Sequence, residues 1–550
     1  MLTRGVVRQV PVAPLSAACA AEQATAAGRE PAETYALTGG NPLLVTELLA
    51  AAGPGVPANV RDVVLARLAA LPPPAREIAR LVAVMPRSAE AAVLGGLEEP
   101  VDACLAAGLL VSRADAVSYR HELLRRAVED ALSPAARAAL HRRVLALLTG
   151  LDGTDPARLA HHALHAGDAD AVLRHGTRAA ARAAAHGAHR EAVAHYRAVR
   201  PYVGRLTGPE RADLLEAYAV QAYLANDADE GLDALRDALA EWERAGDRIR
   251  VGAILRWTSR LAWWSGHSVL ARQAATRAVR VLEAAGEPGR ELAMAYSNRS
   301  QLHMLAHELP AAIEWGERAR ELAERVGDTD TSLHAASNVA TARLQSGHPS
   351  AGVTLRRLHA EAAAAGFPDH AARALVNRAA SLVEGSDYVG AEAAVDEALR
   401  YVAVNHLDGY LKYLFGVRAG VRLERAEWDA ALGDAEESLA RPGGAGQTVV
   451  PALVAKARIL SARGNGAALS ILDRAAAVAE QLDELQRIGP VADARAEHSC
   501  LPANRAAPPP SAARAARDDG GQRRRAHRAP ARGAAPARRG SYLTRTSRPG

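Results

Sequence analysis

Few residues in this chain are of types and spacings that could do chemistry. The stretch LAHHALHAGD sets His161 and His165 four positions apart, on one face of a helix, a spacing that can hold a metal ion. Zinc asks for a third or fourth ligand, and no cysteine or further paired histidine lies nearby in sequence. The reading is therefore a packed helix with hydrogen-bonded imidazoles, and no metal is assigned. Cys19, Cys104 and Cys500 are odd in number and widely separated, which fits a reducing compartment rather than a disulfide framework. The only lysines, Lys412 and Lys456, precede Tyr413 and Ala457, so the Lys followed by Ser or Thr that a P-loop needs to clamp phosphates does not occur. Acid/base pairs, nucleophile elbows and dinucleotide-binding glycine fingerprints are not visible, and no catalytic residue is assigned: the expectation is not an enzyme. Trp257, Trp263 and Trp264 remain, and they either line a concave ligand or partner surface or fill gaps between helical units.

The elements that must position these residues are helices. Alanine, leucine and arginine dominate, aromatic residues make up only 4%, and alternating Val, Ile and Thr runs are scarce, so the fold class is mainly all-α. A chain of 550 residues suggests three or four folded units at roughly 150 residues each. Residues 1–53 combine a strand-like segment, Val6 to Val12, with helical stretches and the turn Thr38 to Ala50, TGGNPLLVTELLA, where Pro42 suits a helix start. Residues 54–150 hold amphipathic helices over Val56 to Leu71, Pro74 to Met85 and Val101 to Leu110. A β-prone pair follows around Leu109 to Val111 and Ala116 to Tyr119. Three helices and a hairpin are the parts of a winged-helix-like domain.

From about residue 155 to 490 a period of about 40 appears. Gly204, Gly246, Gly286, Gly327, Gly366, Asn405 and Gly443 each follow a helical stretch, and these residue types accept the left-handed conformation at a helix end. Asn226, Gly266, His307, Gly347, Gly385 and Ala426 mark a second break halfway through each unit. Each unit is a helical hairpin. A hairpin cannot bury both faces alone, so about seven or eight stacked units form a tetratricopeptide-like α-solenoid.

The formal charge of +5 is unevenly placed. From His498 onward twelve arginines face Asp518 and Asp519, a net of about +10, which leaves residues 1–497 at about −5. Residues 491–550 have no apolar periodicity and are expected to be a disordered Arg/Ala/Pro-rich tail. Its Arg523 to Arg539 segment could touch nucleic acid only through phosphates. No apolar run reaches the roughly 18 residues a spanning helix needs, so no membrane partner and a cytoplasmic location are expected.

Four stretches in series, TGGNPLLVTELLA, VPANVRDVVLARLAALPPPAREIARLVAVMP, YRHELLRRAVEDALSPAARAALHRRVLALL and DPARLAHHALHAGD, resemble the large ATP-binding transcriptional regulators of the LuxR type. The resemblance covers about residues 5–497. Those regulators are signal-transducing ATPases built as P-loop ATPase, winged helix, helical-repeat sensor arm and C-terminal helix-turn-helix. It implies that residues 1–53 are the C-terminal remnant of the ATPase domain and that residues 155–490 are the sensor arm. It also implies that Asn41 and Pro42 contact the adenine side of a nucleotide, while Arg120 and His121 approach its phosphates. Pro42 as a first helical residue and His121 as a capping or interface residue account for the same positions without a ligand. Neither the P-loop nor the DNA-reading helices are found in the sequence, so the expectation is a truncated or frame-disrupted regulator. ATP or ADP would be implied by the family, yet no cofactor is assigned; the arm would bind a protein or small-molecule effector, and sequence-specific DNA is not expected as a partner. The alternative is a free-standing tetratricopeptide-like scaffold for protein–protein interaction.

Overall fold

The computed structural model describes residues 14–500 except 51–55, 87, 287, 442–445 and 483. The strand-like segment Val6 to Val12, Gly443 and the tail beyond Cys500 lie outside the described residues.

Three short helices, Ala17–Ala26, Pro31–Thr38 and Pro42–Ala50, come first. Ser16 caps the first, accepting from the Cys19 amide, and Pro42 is the first residue of the third. Helices Ala58–Ala70, Pro73–Ala83 and Glu98–Ala106 follow, with β1 (Ala89–Glu90), β2 (Leu110–Arg113) and β3 (Ala116–Tyr119). The sheet is antiparallel in the order β1-β3-β2. The expected hairpin is present with its partners Leu110 and Tyr119, but β1 was not anticipated, since two residues carry no periodicity. The expected helix Val101 to Leu110 starts earlier and stops at Ala106, because Gly108 at φ +69 turns the chain into β2. Tyr119 Oη donates to the Ala79 carbonyl at 2.7 Å and Cys104 Sγ to that of Ala75, which pin sheet and helix to Pro73–Ala83.

The helix Pro134–Thr149 packs against Pro156–Ala166 and leads into the arm. Eight helical hairpins then stack, among the described residues, from Ala169–Ala185 paired with His189–Val199 to Val450–Ala462 paired with Ala467–Leu482. The period is as expected. Gly246, Gly286, Gly327 and Gly366 end the second helices at φ between +68 and +101, and Asn226, Gly266, His307, Gly347 and Ala426 make the inner turns at positive φ. At two turns the left-handed residue is one position later than expected, Ser386 rather than Gly385 and His406 rather than Asn405. Gly204 is a correction: it lies within the 3-10 segment Arg200–Arg205, which inserts a tighter turn before the next hairpin.

The arm does not end at residue 490. A final helix, Leu485–Cys500, carries Pro490 and buries Val491 and Ala494 against Leu453, Leu472 and Leu482. Arg458 pairs with Glu497 at 2.7 Å, and Ser461 Oγ lies 2.8 Å from His498 Nδ1. The expected onset of the tail at 491 is therefore wrong by ten residues. The apolar side of this helix is short, Ile488, Val491 and Ala494, and is covered by the preceding hairpin.

The stacked hairpins coil until the last ones meet the early ones. The Trp263 indole donates to Glu484 Oε1 at 2.5 Å across 221 positions, and Arg190 pairs with Asp408 at 2.9 Å. Gly409 lies so close to Trp264 that an added Cβ would stand 2.8 Å from its ring. No helix among the described residues is long and apolar enough to cross a membrane.

Candidate functional site

The first helices of successive hairpins form the inner wall of the coil, and this wall is polar where a core would be apolar. Ser259, Asn298, Asn338 and Asn377 recur at spacings of 39, 40 and 39. Asn298 Nδ2 donates to Ser259 Oγ at 2.8 Å, Asn338 Nδ2 to the Ser297 carbonyl at 2.9 Å, and Asn377 Nδ2 to Thr341 Oγ1 at 3.1 Å. Three successive inner helices, Arg290–Leu305, Thr329–Gln345 and Pro368–Glu384, are thus each tied to the inner helix before.

Two arginines stand on this ladder inside the coil. Arg260 is 7% exposed; its Nη1 donates to Gln301 Oε1 at 2.5 Å and its Nε to Tyr223 Oη at 3.1 Å, with Asp369 4.0 Å away. Burial opposes its charge, yet Tyr223, Tyr410 and Asp369 outweigh burial and push its pKa up. Arg373 is 3% exposed and donates Nη2 to Asn338 Oδ1 at 2.8 Å, while its buried Nη1 has no hydrogen-bond partner. Burial, then the charge of Arg260, pulls its pKa down. Tyr410 donates to Asp369 at 2.9 Å, and burial followed by that carboxylate pushes the phenol well up.

Arg260, Arg373, Trp263, Trp264, Tyr410 and Arg487 line an inner cavity of about 70 Å³. A second cavity of about 240 Å³ shares Tyr413, Glu384, Gln486 and Arg487 with it and continues between Val383, Val417 and Val454. Together they make a groove with Arg260, Arg373 and Arg487 at its inner end, and with Val383, Val417 and Val454 beside the Arg458–Glu424 ion pair at its outer end. Such a groove suits a ligand with an anionic head and an apolar body.

Of the expected tryptophans, Trp263 and Trp264 reach this cavity, and Trp264 donates to Asn226 Oδ1 at 2.9 Å. Trp257 does not; it stacks under the Arg256 guanidinium at 4.3 Å. The arginines were missed because single arginines are common on helices. The 40-residue recurrence of small polar residues on the inner helices was the available signal.

Asn41, Arg120 and His121 are brought together. With Leu43, Leu44, Arg67 and Val63 they line a cavity of about 420 Å³ between the third helix, the helix Ala58–Ala70 and the residues that follow β3. Pro42, the first residue of that third helix, is not among its lining residues. Burial, then Arg120, pulls the His121 pKa down, so the ring is neutral at physiological pH.

The histidines form more than the pair seen in sequence. His141, from the helix Pro134–Thr149, has a ring nitrogen within 4.8 Å of those of both His161 and His165. This third donor comes from another helix, and the assignment of no metal had rested on its absence. Burial first, then neighbouring imidazoles, lowers the pKa of His141 to about 3, of His161 to about 4 and of His162 to about 3. All three are neutral donors near pH 7. Burial pushes the Cys104 thiol up to about 11, and the three cysteines are free.

No protein-family model and no curated protein matches the chain. Among solved structures it is similar to a Signal Transduction ATPase with Numerous Domains protein with a tetratricopeptide repeat sensor from Pyrococcus horikoshii, at 12% identity and TM-score 0.37 over 88% of this chain and 71% of that one. It is also similar to a Rap protein complexed with Competence and Sporulation Factor, at 13% identity and TM-score 0.41 over 66% and 90%, and to aspartyl phosphate phosphatase F from Bacillus subtilis, at 12% identity and TM-score 0.34 over 67% and 90%. The fold is a tetratricopeptide-like α-solenoid, and that statement rests on the hairpins themselves.

Proposed function

We propose that the chain is a non-enzymatic binding arm whose inner groove takes the anionic head, carboxylate or phosphate, of a small molecule or peptide. The observation that carries this reading is Arg373: a buried cation with an unpartnered Nη1 at the wall of a cavity, held beside a second buried arginine. A buried charge without full pairing is costly, and a ligand that completes its hydrogen bonds recovers that cost. The head would bind between Arg260 and Arg373, and the body would lie toward Val417 and Val454.

Sensing by a LuxR-type regulator is the finer form of this reading. It is supported by the order of the four sequence stretches and by the single cavity that gathers Asn41, Arg120 and His121. Residues 54–150 would then be the winged-helix-like spacer between ATPase and arm. A free-standing scaffold is supported by the same hairpins and would use the groove for a protein segment.

A thermal-shift panel tests the proposal. Short peptides with free C-terminal carboxylates and phosphorylated metabolites, each beside its amidated or dephosphorylated counterpart, are added to the chain and to Arg373→Gln. The expected result is stabilisation by anionic members alone, lost in the variant. Equal stabilisation by neutral counterparts, or none by any member, overturns it.

A further inference from the structure

The cluster at the start of the arm has its own chemistry. His141 is fully buried on Pro134–Thr149, while His161 is partly buried and His165 exposed on Pro156–Ala166. Their ring centroids lie 4.3 to 5.6 Å apart. His165 Nδ1 is 2.9 Å from the His161 carbonyl, so it carries the proton and leaves Nε2 with a lone pair. His141 Nδ1 lies 2.9 Å from His162 Nδ1, and its buried Nε2 has no hydrogen-bond partner. Each of these two rings is therefore oriented through one nitrogen and presents the other, the arrangement that outer partners impose on metal-ligating imidazoles.

We infer that His141, His161 and His165 form a binding site for a divalent transition metal that clamps the first helix of the arm to the module before it. Imidazole donors suit zinc, copper and nickel, and a pair four apart on one helix face with a third ring from a facing helix supplies three of the four positions of a tetrahedral centre. The fourth faces solvent beside His165 and takes water or an anion. The nitrogens, within 4.8 Å of one another, must close to roughly 3.4 Å for zinc at its usual bond length, and rotation of the exposed His165 and partly exposed His161 provides this. Arg125, Arg137 and Arg158 are the cations near the cluster. Arg125 is paired with Glu122 and Glu129, Arg158 with Glu90, and Arg137 donates to the Glu129 carbonyl.

The test uses the untagged full chain freed of metal by a chelator, because the sequence holds 19 histidines and a tag would add more. Co²⁺ is titrated while visible absorption is followed, and Zn²⁺ is then measured by competition with a chromophoric chelator. One equivalent of Co²⁺ should give tetrahedral absorption bands and raise the thermal midpoint. His165→Gln, at an exposed position that leaves the core intact, and His141→Ala should both lose the bands. His175→Ala, a buried histidine of the next helix, should keep them. His162→Phe, which removes the outer partner of His141, should weaken Zn²⁺ about 10- to 100-fold. Absence of the bands in the wild-type chain, or their persistence in His165→Gln, overturns the site.

Discussion

Trp263 and Glu484, 221 positions apart, share a buried hydrogen bond that joins the inner wall to the start of the last helix. A bond between distant segments reports directly on whether the coil closes. A double-mutant cycle with Trp263→Phe and Glu484→Leu, each of which removes the bond, should give a coupling of about 1.5 to 3 kcal/mol in urea unfolding, the range for a hydrogen bond to a charged group. A coupling near zero would place the last helix elsewhere.

Two glycines should fail for different reasons. Gly327 ends a helix at φ +68 with open space around it, so Gly327→Val strains only the backbone and should cost about 1 to 2 kcal/mol. Gly316 lies mid-helix, where a Cβ would stand 2.4 Å from Val339 and 2.9 Å from Ser300, so Gly316→Ala overpacks the contact with the next hairpin and should cost about 1 to 3 kcal/mol. Urea midpoints of both variants decide it, and an unchanged Gly316→Ala would contradict the packing of neighbouring units.

Acid should loosen the joint between module and arm. Arg158 donates to both Glu90 oxygens, at 2.6 and 2.8 Å, and this holds the Glu90 carboxyl below its ordinary range. A carboxyl depressed in the folded state stabilises above its unfolded value of about 4.3, and the gain is lost as pH falls through the folded value. The pair is partly exposed, so its worth is at most about 1 kcal/mol. Midpoints of the wild type and Glu90→Gln should differ near pH 7 and draw together as pH falls below the unfolded value and through the lower folded one; a constant difference would deny the linkage.

Much of the fold was legible because it is periodic. Capping residues such as Gly246 and Gly327 must take left-handed angles, and sequence shows residue type at each helix end. Long-range features were not legible. His141 meets His161 only because two helices pack, the groove exists only because the coil returns on itself, and the last helix is held by contacts that Val491 and Ala494 receive from the preceding hairpin. Asn41, Arg120 and His121 were linked by resemblance alone, and the structure places them in one cavity.

That cavity should not turn over ATP. Neither Lys412 nor Lys456 lies in a P-loop, so the phosphate charge would lack its clamp and its metal counter-ion. A phosphate-release assay should stay at the blank. Turnover, or a dissociation constant near the micromolar range, about −8 kcal/mol, that His121→Ala abolishes, would contradict this.

The inner groove as an anion-binding site is tested most directly by tryptophan fluorescence, since Trp263 and Trp264 line it. An anionic ligand from the thermal-shift panel is titrated into the wild-type chain, Arg373→Gln and Trp263→Phe. A saturable change is expected in the wild type, absent in Arg373→Gln and reduced in Trp263→Phe. An equal signal in Arg373→Gln would show that the ligand binds away from the groove and contradict the assignment.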